Sequence, residues 1–293
     1  MRPGAFNLAS ERGRKVWSCL GSRWPRSWAT LSAAVRPTAT RANSGLSAEL
    51  LGVVGLLLVA ALALSDPPGD PFRDREDALA LMLGRARVGA GLLPLARSPA
   101  LDRAAVGHAQ DMAARGYMEH EAPDGSTPGT RAAQEGYDTT PGGAWMVVET
   151  ISAISDEPDG ALGWWLSDSL HRRVVLRPSW REIGVGFAPG GPYGRFWVAL
   201  FGCRPNTLPP VLLDGVLAVP DEGCGRAADA FGPVQAMRVA ETSAAAQSLD
   251  WGPYTAQQAW PAGHPAVVGM RDAAGHELEA RAADPTAAPT QAP

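Results

Sequence analysis

Between residues 72 and 203 the apolar positions fall first at helical and then at alternating spacing. The stretch "FRDREDALALMLGRARVGAG" puts Leu79, Met82, Leu83 and Ala86 on one face of a helix that ends in glycines. "LLPLARSPAL" turns the chain. Ser98 as N-cap and Pro99 at the first helical position then open a second helix, predicted to run to Gly116. Its stripe is Leu101, Ala105, His108 and Met112, which makes His108 a packed helix histidine. A polar loop holds His120 and the turn "PDGSTPG", and "TRAAQEGY" reads as a short third helix ending at Gly136. "AWMVVETIS" is extended, with Glu149 inside an apolar stretch. "DGALGWWLSDSLH" is expected to form a fourth helix with Leu162, Trp165 and Ser169 on one side. Two strands, "EIGVGFAP" and "RFWVALFG", close the unit across the turn "GGPYG". Helices first and a hairpin last predict the α+β class and not repeated βαβ units.

The pattern changes on both sides of this unit. Residues 204–281 carry short, Pro/Gly-punctuated strand signals, including a hairpin turning at 273–275, and read as a small β domain. The tail 282–293 is low-complexity and expected to be disordered. Upstream, residues 66–74 form a linker behind an uncharged run from Leu50 to Leu64. Residues 46–65 are therefore read as a signal peptide or a single membrane-spanning anchor. The leader 1–45 is basic, about +7 against about −11 for the rest, which predicts the N-terminus inside and residues 66–293 outside the membrane. An acidic main body argues against nucleic acid as a partner. An oxidising compartment would let Cys203 pair with Cys224, leaving Cys19 on the inner side. Such a bridge would contribute about 3 kcal/mol by loop-closure entropy.

Three ordered motifs resemble the bacterial branch of the CAP superfamily, which also holds cysteine-rich secretory proteins, antigen 5 and plant pathogenesis-related proteins. They are "SPALDRAAVGHAQDMAARGYMEHEAPDG", "VVETIS" and "WWLSDSLHRRVVLRPSWREIGVGFA", within residues 75–203. The resemblance implies an α-β-α sandwich with a cleft lined by two histidines and two acids. Carried onto this chain, the first histidine is His120 and the second is His171. The glutamate of the family's Gly-Glu-Asn motif is Glu149, and the second acid, three residues after Trp165, is Asp168. The amide residues of the pattern are missing: Gly84, Thr150 and Val174 stand where asparagines are usual.

The residue types support several chemistries. Two imidazoles and a carboxylate with an open position hold Zn²⁺ or another divalent cation, so His120 and His171 are candidate metal ligands. Alternatively, each carboxylate orients an imidazole and raises its pKa, giving an acid–base pair. A third reading makes the four residues a hydrogen-bonded cluster that stabilises the cleft wall. HExxH, G-x-S-x-G and Walker A motifs are absent from the sequence. Ser126, Ser167 and Ser169 are nucleophile candidates by proximity alone. The expectation is a non-enzymatic extracytoplasmic protein whose cleft binds an envelope component, a divalent metal or, as the resemblance implies, a lipid. The competing readings are a protease-like hydrolase and a scaffold with a vestigial cleft.

Overall fold

A computed structural model of the chain describes residues 71–137, 146–224 and 231–285. The basic leader, the apolar run 46–65, Cys19 and residues 286–293 of the tail lie outside them. Helices α1 (Arg73–Gly89), α2 (Pro99–Arg115) and α3 (Pro128–Gln134) form where the apolar stripes predict them. Helix α2 begins after Ser98 with Pro99 in its first turn and stops at Gly116, whose φ of 73° is left-handed. Its whole predicted stripe, Leu101, Ala105, His108 and Met112, is buried.

Four strands make the central sheet, in the order β1-β3-β4-β2: β1 (Ala96–Arg97), β3 (Glu182–Pro189), β4 (Arg195–Cys203) and β2 (Met146–Ser152). The β3–β4 hairpin and the β2–β4 pair are antiparallel, while the two-residue β1 runs parallel to the start of β3. Neither β1 nor its pairing was expected from the sequence, because two residues are too few to show a period.

The sheet separates two apolar cores. Ile183, Val185, Phe187, Trp197 and Phe201 face α1 and the Trp165 helix; Val198 and Leu200 face α2 and Tyr137. This is an α-β-α sandwich of the α+β class. Gly184 and Gly186 explain the spacing of the "EIGVGFA" stretch. A Cβ on Gly186 would stand 2.3 Å from the backbone carbon of Ala105, and one on Gly184 would stand 2.1 Å from that of Leu101. Helix α2 thus lies directly on the β3 backbone.

Past the short β1, the free side of β3 is satisfied by carboxylates instead of a strand. Val185 N–H donates to Asp102 and Phe187 N–H to Glu76, each at 2.9 Å. That accounts for two buried acids on helix faces that are otherwise apolar. Arg97 and Arg73 in turn hold Asp102.

The fourth helix is not continuous. The chain forms α4 (Pro158–Ser167) and α5 (Ser169–Val175), broken at Asp168, whose φ and ψ of −85° and 130° are extended. Leu162 and Trp165 are buried as expected, but the break leaves Ser169 exposed.

Beyond β4 the chain is β-rich. Strands β5 (Val211–Leu213), β6 (Val216–Ala218) and β9 (Gln257–Ala259) make one small sheet. Strands β7 (Val234–Ala240), β8 (Gly252–Pro253), β10 (Val267–Asp272) and β11 (Glu277–Arg281) make another, with α6 (Ser243–Gln247) beside it. A disulfide joins Cys203 at the end of β4 to Cys224, with Cα atoms 5.7 Å apart. Val211 and Leu213 pack on Ala96, so this region leans against β1. Among the described residues no helix is long and apolar enough to cross a membrane.

Candidate functional site

His120 sits on the loop between α2 and α3, and that loop is shaped locally. Gly125 N–H donates to Ala122, Ser126 N–H donates to the Asp124 carboxylate, and Thr127 and Thr130 form a reciprocal cap at the start of α3. Arg131, one turn into α3, reaches back across the loop. It donates to the carbonyls of Ser126 (2.9 Å) and His120 (3.1 Å) and to Glu149 Oε2 (2.9 Å).

Glu149 is the hub. It lies on β2 with its side chain only 1% exposed, and His120 Nδ1 stands 2.8 Å from its Oε1. His108 Nε2, fully buried on α2, lies 3.6 Å from the same oxygen and 3.1 Å from the carbonyl of Glu119. Because a carbonyl only accepts, that second contact assigns the proton to Nε2 of His108. His108 therefore ties the segment before His120 to α2. Tyr117, beside His108, donates to Asp111, and burial followed by this bond pushes its hydroxyl up to about 12.

Burial lowers the pKa of His108 from its ordinary 6.5, chiefly by desolvation and despite the opposing charge of Glu149. The unfolded chain then binds the proton more readily. Stability contributed by neutral His108 is complete above about pH 6.5 and is lost as pH falls through and below that value. Thermal melts should show a lower transition at pH 5 than at pH 7. His108→Gln, which keeps an N–H donor without a titrating ring, should flatten that part of the profile. An unchanged slope would remove His108 as its source.

The second pair is built differently. Asp168 and His171, three residues apart, meet at the start of a helix instead of inside one. Asp168 is the N-cap of α5, and its Oδ1 accepts from the backbone of Leu170 (2.9 Å) and His171 (3.0 Å) and contacts His171 Nδ1 at 2.7 Å. The His171 backbone bond, then its imidazole, holds the Asp168 carboxyl below its usual range. Trp164 packs against the His171 ring at 4.5 Å between centroids, the two planes tilted by 50°.

The helices beside the two pairs belong to different layers of the sandwich. Glu149 shares a face of β2 with Val147 and Ile151, toward α2 and α3, whereas α5 belongs to the layer against which Met146 and Val148 pack. Thr150, in the place of the family's asparagine, is turned to the face opposite Glu149, and its buried hydroxyl has no hydrogen-bond partner among the described residues.

No hydrogen bond or ion pair joins the His120 pair to the His171 pair among the described residues. Nor do three His, Cys, Asp or Glu side chains there gather into a set able to hold a metal ion. Each imidazole pairs through Nδ1 with its own carboxylate, so the four residues form two separate dyads. The zinc expectation does not fit this arrangement. The serine candidates fare no better: Ser167 donates to the Trp164 carbonyl, and neither Ser126, Ser167 nor Ser169 bonds an imidazole.

Sequence reasoning missed His108 and Arg131 as partners of Glu149. The available signal was a histidine on an otherwise apolar stripe, since a buried polar ring needs a partner.

Residues 83–201 match the family CAP, the cysteine-rich secretory protein family. Residues 83–201 are a CAP domain. A curated relative, the uncharacterized protein YkwD of Bacillus subtilis (strain 168), is 28% identical over 101 residues, covering 34% of this chain and 37% of that protein. The chain thus matches little more than a third of that relative's length. Two solved structures resemble part of the chain. An outer surface protein from Borrelia burgdorferi is 19% identical with a TM-score of 0.41, over 46% of this chain and 96% of that one. An extracellular SCP-domain protein from Bacillus anthracis is 23% identical with a TM-score of 0.39, over 46% of this chain and 44% of that one. The four cleft residues expected by resemblance, His120, Glu149, Asp168 and His171, all fall inside the CAP domain.

Proposed function

We propose that this chain is an extracytoplasmic binding protein whose CAP domain takes a small, hydroxyl-bearing envelope component through His120 and His171, without turnover. The observation that carries this reading is the shared state of the two imidazoles. Both give Nδ1 to a carboxylate, so both present an Nε2 lone pair that accepts a hydrogen bond. His120 is 54% exposed and rests on a buried, Arg131-braced glutamate, which fixes the ring before any ligand arrives. The basic leader, the apolar run and the disulfide support an extracytoplasmic location. The lack of a serine at either imidazole among the described residues favours binding over hydrolysis.

Soluble peptidoglycan fragments titrated into the intact chain test this by calorimetry. Each of His120→Ala and His171→Ala should weaken binding about tenfold, the worth of one lost hydrogen bond. Equal binding by wild type and both variants, or consumption of the fragments by the wild type, would overturn the proposal. So would tight uptake of Zn²⁺ that both substitutions abolish.

A further inference from the structure

A cavity of about 370 Å³ lies away from both dyads, where the C-terminal end of α1 meets the β5–β6 hairpin. Its walls are aliphatic: Val88 and Pro94 from one side, Leu213 and Val216 from the other. Val88 and Val216, from opposite walls, are 44% and 38% exposed and both line this space. Gly89 adds to the opening, since a Cβ placed there would meet nothing within 4 Å. Five of its nine lining residues lie beyond residues 83–201, so the cavity is made by adding the β-rich region to the CAP domain.

Three physical facts select its occupant. The volume falls in the range of about 300–1,000 Å³ typical of small-molecule sites. A protein partner would need about 800 Å² of contact on each side, far more than this opening offers. The two charged residues at the cavity neutralise each other: Arg85 Nε and Nη2 donate to the two Asp214 oxygens at 3.0 and 2.8 Å. A charged ligand would have to break that fork or sit against a neutral rim. We infer that this cavity is a binding site for a small, uncharged molecule with an aliphatic body.

The test uses decanol as the probe, read by displacement of the neutral dye Nile red from the intact chain, with decanoate and decylammonium as charged comparisons. Decanol should displace a saturable fraction of the dye and outrank both charged analogues. Gly89→Leu and Val216→Trp, which fill the space from opposite walls, should each weaken that displacement at least about tenfold. Both should leave the His120-dependent binding of glycan fragments unchanged. Wild-type displacement persisting in filled variants that melt like the wild type would overturn the inference. If a variant melts lower, the ranking of the three probes on the wild type decides, and decanoate or decylammonium binding as tightly as decanol would overturn it.

Discussion

Arg131→Met is expected to destabilise the fold by about 3–5 kcal/mol, the cost of leaving a buried charge without its partner. Glu149 is almost wholly inside the protein, and Arg131 is the only guanidinium within ion-pairing distance of it among the described residues. Methionine keeps most of the side-chain volume, so the loss reports charge and hydrogen bonding more than packing. The same change removes the bonds that hold the carbonyls of Ser126 and His120. Arg103 and Glu135 provide the internal comparison: that pair is exposed on both sides, and its removal should cost about 1 kcal/mol or less. Denaturant unfolding of both variants gives the contrast directly. Adding Glu149→Gln to Arg131→Met should recover part of the loss, because the uncompensated charge is then gone. A loss from Arg131→Met no greater than that from Arg103→Met would show that Glu149 does not depend on Arg131.

Gly186→Val is expected to cost about 3 kcal/mol or more, at or beyond the upper end of ordinary overpacking. The added atoms would meet the backbone of Ala105 and Val106 at 2.3 Å, and a helix backbone cannot step aside as a side chain can. Helix α2 would have to lift from β3, opening the apolar core around Leu101, Ala105 and Val198. Gly163→Ala is the control. It sits exposed on α4 with nothing within 4 Å, and alanine is the better helix former, so stability should hold or rise slightly. Comparable melting of Gly186→Val and wild type would mean that α2 is not seated on the β3 backbone.

The sequence by itself determined the elements whose cause is local. Helices α1 and α2, the β3–β4 hairpin and the end of α2 at Gly116 follow from apolar periodicity and from glycine at a left-handed position, both of which act within a few residues. Resemblance added the identities of His120, Glu149, Asp168 and His171, but not what each one touches. The tertiary structure decided that. Asp168 reads as the middle of a helix by its apolar neighbours, yet the run Ser167-Asp168-Ser169 is rich in capping residues, and the chain uses the aspartate to end one helix and start another. Arg131 and His108 became the partners of Glu149 because α2, α3 and β2, distant in sequence, pack on one face of the sheet. Only the tertiary structure showed that each imidazole is held by its own carboxylate, making two carboxylate–histidine dyads out of what the linear pattern offered as one metal-binding set. Spacing along a chain reports which residues share a helix or strand face; which faces then meet is set by packing.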